Sequence, residues 1–359
     1  MFSQNNLPSR AKIKVIGVGG AGCNAVNRII ASRLSGVEFI GINTDAQALS
    51  TCEAEKKVLI GESLTQGLGC GGDSELGRSA AESANREIEQ AVEDADMVFI
   101  TAGLGGGTGS GAASFVADKA KKVGALTVAI VTKPFLFEGP RRRVVAEKAA
   151  EELKGCVDTL ITVPNDKLLQ SVSRHATLKE AFNAADDVLR LGVQGISEVI
   201  ITPGLINVDF ADVRAILTNA GVALMGIGTG EGDQRAKTAA ETAANSSFLE
   251  TNIEGAKRLL VNITTGNDFT LGEAYDAMEY LLQYTDPDDS DIIFGHAVRE
   301  ELGAKVQITV LAAGMSPRCV SAPEPVSSES AQEEFLAPNL DIPTFLRRQR
   351  EQAELKGEI

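Results

Sequence analysis

The chain has 359 residues, 36 of them glycine, more than a single core usually serves, so two packed domains and a tail are expected. Its 49 acidic against 34 basic residues give a formal net charge of -15, which argues against direct binding to nucleic-acid backbones or anionic lipid headgroups. The five cysteines show no C-x-x-C spacing, no apolar run reaches membrane-spanning length, and Met1 to Lys14 lacks a signal peptide's apolar stretch; the reading is of reduced thiols, no structural zinc and a cytoplasmic chain.

From Lys12 to Val163, β-branched runs near 12–17, 37–42, 96–102, 125–132 and 157–163 alternate with Ala- and charge-rich helical stretches. That alternation predicts a parallel sheet covered on both faces, with ligands beyond the carboxyl ends of its strands. The first strand runs into Gly17-Val18-Gly19-Gly20-Ala21-Gly22-Cys23-Asn24, where absent side chains let backbone N–H groups and a helix N-terminus approach an anion. The same stretch matches G-x-G-x-x-G at Gly17, Gly19 and Gly22, with Asp45 after the next strand. A dinucleotide site and a ligand-free tight turn are therefore its alternatives. A second loop, Gly67-Leu68-Gly69-Cys70-Gly71-Gly72-Asp73, forms a strap near the same sheet edge. The third, Gly103-Leu104-Gly105-Gly106-Gly107-Thr108-Gly109-Ser110-Gly111, holds six glycines in nine residues. Such a loop is costly in unfolded-state entropy unless it cradles a second phosphate group, and a nicotinamide enzyme has no need of it. It contains no lysine and no G-x-x-x-x-G-K-[ST], so phosphate charge would be met by backbone N–H groups, the Thr108 and Ser110 hydroxyls, a helix dipole and Mg²⁺. Three glycine loops around one site suggest a triphosphate.

Residues 176–202 read as one long helix, with Leu178, Phe182, Ala185, Leu189, Val193, Ile196 and Ile200 spaced by threes and fours, stopped by Thr202-Pro203-Gly204. A smaller α/β unit follows: a helix from about Asp209, strand 221–229, helix 233–246, strand 258–264, helix 270–284 and strands near 291–295 and 305–313. On the residues alone, Phe182 reads as core, Asp186 as a solvated face, Asp209 as an N-cap and Asp212 as a dipole-compensating carboxylate. Beyond Gly314 the chain turns to Ser, Pro and Glu, which predicts a flexible linker over 316–337. The segment 338–349 then gathers Leu340, Ile342, Phe345 and Leu346 around a helix start at Asp341-Ile342-Pro343, a cluster that calls for a partner.

From Ile13 to Gln349 the chain resembles the FtsZ family, the tubulin-like GTPases of bacterial division. The resemblance is carried by GVGGAGCNAVNR (17–28), INTDAQAL (42–49), GLGGGTGSGAA (103–113), PNDKLL (164–169), LRLGVQGISEVI (189–200), GLINVDFADVR (204–214) and DIPTFLRRQ (341–349). It implies a Rossmann-like parallel-sheet GTPase domain (12–175) after a flexible arm (1–11). A central helix (176–202) joins this to a smaller α/β activating domain (203–315), followed by the linker and a disordered partner-binding tail (338–359). It implies that GTP/GDP, with Mg²⁺ held mainly by phosphates and water rather than by a protein metal site, lies on Gly19, Gly20, Ala21, Gly22, Gly71, Gly72, Gly103, Gly105, Gly106, Gly107, Thr108 and Gly109. Glu138 and Arg142 would lie by the ribose and phosphates, Phe182 would stack on the base, and Asp186, with Asn24 and Asn165, would select guanine. Asn207, Asp209 and Asp212 would enter the pocket of the next copy and orient or deprotonate the attacking water, so hydrolysis would require a head-to-tail homopolymer. The tail would bind membrane-tethering and regulatory division proteins, placing the chain at the division site without inserting it in the membrane. Asp73-Ser74, Leu136, Pro140 and Ser110 depart from the commoner family pattern and bear on turnover. A non-hydrolysing GTP-binding scaffold of the same fold and a Rossmann oxidoreductase remain as alternatives.

Overall fold

A computed structural model describes residues 11–168, 176–201, 204–206, 208–246, 253–285 and 290–315. The first strand, β1 (Ile13–Val18), is buried along its whole length, as expected of an apolar run with helices on both faces. Its alternate residues feed two cores. Ile13 and Val15 join a cluster with Val26 and Ile29 of the helix Gly19–Ala31 and with Leu189, Val193 and Ile196. Ile16 and Val18 join one with Ala80, Ile88, Val116 and Leu153, contributed by the helices Ser74–Ser83, Asn85–Val92, Gly107–Lys122 and Pro140–Cys156.

The remaining strands are β2 (Val37–Asn43), β3 (Lys56–Leu59), β4 (Met97–Gly103), β5 (Leu126–Lys133), β6 (Thr159–Pro164), β7 (Gly221–Gly230), β8 (Arg258–Thr265), β9 (Asp291–Val298) and β10 (Val306–Ala313). They form one sheet in the order β3-β2-β1-β4-β5-β6-β7-β10-β8-β9. The first six are parallel, with β1 in register against β2 (Val15 opposite Phe39) and β4 (Val15 opposite Phe99). Strand order reverses on either side of β1, so the crevice for a ligand opens between the ends of β1 and β4. This order is also that of dinucleotide-binding sheets, and topology alone does not separate the two readings. The second half continues the sheet of the first. β6 and β7 pair in parallel through Thr159–Ile161 and Gly221–Ala223, and residues up to 316 make one compact unit. Beyond β7 the sheet turns antiparallel at β10 and gathers its own core around Val261, Ile263, Ala277, Leu281 and Val310.

The expected strands and helices are present to within a few residues. Among the described residues β3 is the one strand not expected from the sequence, because Lys56-Lys57-Val58-Leu59 is too short and too charged to show a period. The central helix spans Leu178–Ile201, about 36 Å at 1.5 Å per residue. Its apolar stripe is core only from Ala185 onward: Leu178 is 67% and Phe182 42% exposed, while Leu189 and Val193 are fully buried. No helix among the described residues is long and apolar enough to cross a membrane. The expected linker and tail, the flexible arm up to residue 10, Asn207 and the Thr202-Pro203 half of the helix stop lie outside the described residues.

Candidate functional site

The glycine loops after β1 and β4 meet at a cleft of about 250 Å³ beyond the carboxyl ends of those strands. Two helix N-termini open into it, Gly19–Ala31 and Gly107–Lys122. Neither carries a side-chain cap or an acidic residue in its first turn. Their first N–H groups lack the partner that most helices supply, and the dipoles aim positive ends at the cleft. Gly20 and Gly106 face open space, with nothing within 4 Å of where a Cβ would stand. Other glycines of the same loops serve packing instead: a Cβ on Gly22 would collide with the Thr101 carbonyl of β4, and one on Gly103 would come 2.7 Å from the Ala21 Cβ. The entropic cost of these loops is thus divided between closing the two loops together and leaving an anion-sized cradle between them.

The cleft wall gathers residues distant in sequence. Gly19, Gly20, Ala21, Gly103, Gly106, Gly107, Thr108 and Gly109 line its floor, and Glu138, Arg142, Asn165, Phe182 and Asp186 line its rim. Pro140 opens the helix that carries Arg142, a position where its missing N–H costs nothing. Glu138 accepts a hydrogen bond from Phe135 N (2.9 Å) and pairs with Arg142. Asn165 is 5% exposed and its Oδ1 has no partner, an arrangement that a buried amide tolerates best where a ligand donates to it. Phe182 stands edge-on to Phe135 at 5.4 Å and to Phe137 at 6.4 Å, which holds an exposed ring upright at the cleft mouth. Asp186, one turn along the same helix, is partly buried, its side chain 16% exposed and 3.6 Å from Arg28 Nε. Burial pushes its carboxyl up to about 6, against the pull of Arg28. Neither residue takes the bland role that its sequence context favoured: Phe182 is 42% exposed rather than core, and Asp186 is a partly buried cleft residue rather than an open helix face.

Five expected binding residues do not line the cleft. Gly22 and Gly105 are packed behind it, Gly105 donating its N–H to Ser110 Oγ at 2.8 Å. Asn24 is exposed on the helix one turn before Arg28, and Gly71 and Gly72 stand exposed in the strap. Ser110 is buried, accepts that loop bond and does not line the cleft, so it shapes the loop from behind. Asp73 caps the helix Ser74–Ser83, accepting from Glu75 N (2.9 Å) and Leu76 N (3.3 Å), which gives the Asp73-Ser74 pair a local reason. Sequence reasoning assigned no role to Arg28, Phe135 or Phe137. Arg28 was within reach of it, being four residues beyond Asn24 on one helix face; the two phenylalanines were not, because only the turn Leu136–Glu138 stacks them (5.0 Å).

The acidic turn lies elsewhere. Asp209 stands at the N-cap position of the helix Phe210–Leu217, yet its side chain makes no capping hydrogen bond, and Asp212 is exposed in the first turn. On the same helix Arg214 Nη2 donates to the carbonyls of Asp96 (3.1 Å) and Gly124 (3.3 Å), which lie one and two residues before β4 and β5. The cleft follows those strands, about 20 Å away at roughly 3.3 Å per residue. Among the described residues no cluster of three or more metal-ligating side chains occurs.

A parallel sheet of this order, two uncapped helix N-termini at its switch point and a lysine-free glycine cradle define a tubulin-like nucleotide-binding domain. Family models agree with that class: the Tubulin/FtsZ family GTPase domain matches residues 12–173 and the FtsZ family C-terminal domain matches 221–316. An empty FtsZ dimer from M. jannaschii superposes with a TM-score of 0.82 and 45% identity, over 85% of this chain and 89% of that one. A substituted form of the same protein gives 0.82 and 45%, covering 85% and 92%. CetZ1 from Haloferax volcanii, at 22% identity and a TM-score of 0.73 over 85% and 95%, shares the fold. The chain belongs to the FtsZ family.

Proposed function

We propose that this chain binds GTP in the cleft between β1 and β4 and hydrolyses it only when a second copy supplies the acidic turn, so that it works as a self-assembling filament protein of cell division. The observation that carries this reading is the separation of the two half-sites. The cleft has backbone donors, Arg142 and an aromatic rim, while Asp209 and Asp212 stand exposed and unengaged at the opposite ends of the same strands. From Asp186 the central helix carries the chain about 22 Å away before this turn begins, so an intramolecular encounter is out of reach. Head-to-tail stacking would bring each acidic turn to the next cleft, and a contact that does not close on itself extends into a filament. The dimer reported for the M. jannaschii relative supports association between copies.

In this reading the uncapped helix N-termini and Thr108 hold the phosphates, Phe182 stacks on the base, and the Asp186 carboxylate accepts from the guanine ring N–H and exocyclic amine, a pairing that adenine cannot offer. Mg²⁺ arriving with the nucleotide would neutralise phosphate charge. Asp209 and Asp212, with Asn207, would orient and deprotonate the attacking water. The exposed apolar residues flanking both half-sites, Leu68, Phe137 and Leu178 at the cleft and Leu205 and Ile206 before the acidic turn, would bury one another in the contact. The tail 338–349 would dock on membrane-tethering and regulatory division proteins.

The test is GTP hydrolysis per molecule against protein concentration, with sedimentation of the same samples in GTP and in GDP. A threshold in specific activity that coincides with GTP-dependent pelleting is expected. Hydrolysis that is independent of concentration would overturn the shared site, and GTP binding with no turnover at any concentration would favour the non-hydrolysing scaffold.

A further inference from the structure

Thr44 follows β2 and is fully buried, so it cannot reach a ligand itself. It is nevertheless where three segments of the cleft converge. Its carbonyl accepts from Gly69 N (3.3 Å) and from Thr65 Oγ1 (3.3 Å), which ties down the 67–73 strap. Its Oγ1 lies 2.6 Å from the Oγ1 of Thr108, a residue of the cleft floor. The Cys70 thiol of the strap donates to that same Thr44 oxygen at 3.3 Å and lies 3.6 Å from Thr108 Oγ1.

A hydroxyl has a single proton to give, which decides what this cluster does. If Cys70 S–H donates to Thr44 and Thr44 O–H donates to Thr108, the Thr108 proton is left over. With no anion present its nearest outlet is the Cys70 sulfur, a weak acceptor. A phosphate oxygen in the cradle is a far stronger one and would draw the proton away without disturbing the rest of the chain of bonds.

We propose that Thr44, backed by Cys70, is a positioning residue that holds the Thr108 hydroxyl as a donor toward a nucleotide phosphate. The proposal rests on the guanine-nucleotide reading of the cleft. It assigns a role to a residue that touches no ligand, and it makes the thiol of Cys70 part of the phosphate site through hydrogen bonding rather than through its redox chemistry.

The experiment compares Thr44→Val, Thr44→Ser and Cys70→Ala with the unaltered chain, measuring equilibrium binding of GTP and of guanosine, with thermal melting to establish that each variant is folded. Thr44→Val keeps the shape and removes the hydroxyl; GTP affinity is expected to fall about tenfold, the scale of a hydrogen bond to a charged group. Guanosine binding should be unchanged, since it has no phosphate, and Thr44→Ser should restore GTP affinity. Cys70→Ala should lower GTP affinity by a smaller factor in the same direction, and it reads the cluster independently should Thr44→Val not fold. GTP affinity within about twofold of the unaltered chain in a folded Thr44→Val or Cys70→Ala, or an equal loss for guanosine, would overturn the proposal. Failure of the unaltered chain to bind either GTP or guanosine would instead overturn the nucleotide reading, and the proposal with it.

Discussion

At the carboxyl ends of β1 and β4 the cleft offers backbone donors in abundance, yet both carboxylates on its wall are engaged: Glu138 with Arg142 and the Phe135 N–H, Asp186 with Arg28. At the amino ends of β4 and β5 the situation is reversed. Asp209 and Asp212 are exposed, and the helix start that they stand on, although it too lacks a side-chain cap, carries the Asp212 carboxylate in its first turn and no cradle of glycines. One end can hold a polyanion and has no spare base; the other has bases and nowhere to hold a polyanion. The lesson is that neither end is complete as an active site, and that burial decides which carboxylates stay available for chemistry.

The comparison breaks most decisively at the acidic turn. Asp212→Ala should leave GTP binding intact and lower turnover by about 10²–10⁴, the usual worth of a positioned general base; single-turnover assays at saturating protein check it, and unchanged turnover would return both carboxylates to a purely structural role. Mixing Asp212→Ala with a cleft-defective Asp186→Ala chain sharpens the point, because one intact cleft can then face one intact turn and part of the activity should return.

Next in size is the contact between ends. Leu205 is 80% exposed just ahead of the turn, so Leu205→Asp should leave the melting temperature nearly unchanged while raising the assembly threshold about tenfold or more, the scale of burying one leucine. Light scattering across a concentration series reads this directly.

The cleft end is tested by pH. Burial holds the Asp186 carboxyl at about 6, well above the ordinary value of about 3.9. A raised carboxyl stabilises the nucleotide-free fold below the ordinary value, and that contribution is lost as pH rises through about 6. In the proposed pairing guanine would need the ionised form, so affinity should move the opposite way. It should level off above pH 6 and fall by up to about tenfold per unit below it, provided that GTP and guanosine respond alike. A guanosine affinity that stays flat between pH 5 and 7 (about one unit either side of the titration) would remove Asp186 from base recognition.

The smallest effect is expected at the strap. Asp73→Ala removes a cap that donates nothing to the cleft, and should cost about 1 kcal/mol of stability in a denaturant titration while turnover per folded molecule is preserved. A larger loss of turnover than of stability would mean that the Asp73-Ser74 pair serves the phosphates as well as the helix.

How much of this was legible beforehand follows from the range of the interactions involved. The strands β1, β4 and β5 and the helices between them were readable because their signals are local: a period of two or 3.6, and glycines directly after a strand. For the same reason the cleft floor, from Gly19 to Ala21 and from Gly106 to Gly109, could be named from the loops alone. The chain order of the motifs further carried the family and the expectation of a guanine nucleotide.

What folding decided was everything that depends on partners remote in sequence. The glycines all look alike as letters, yet Gly20 and Gly106 stand open while Gly22 is pressed against β4, because occupancy of the missing side chain's place is set by another strand. Phe182 and Leu189 share one helical stripe, yet one is a cleft wall and the other core, since Leu189 joins a core cluster with Val15, Phe99 and Val128 of the sheet whereas Phe182 meets the rings of Phe135 and Phe137. Asp186 acquired its raised carboxyl from burial beside Arg28, 158 positions away in the chain. Thr44, Cys70 and Thr108 became one hydrogen-bonded cluster only when β2, the strap and the helix after β4 closed on each other. Sequence carries the local conformational preferences of each segment, whereas burial and hydrogen-bond partners are properties of the packed sheet and its helices.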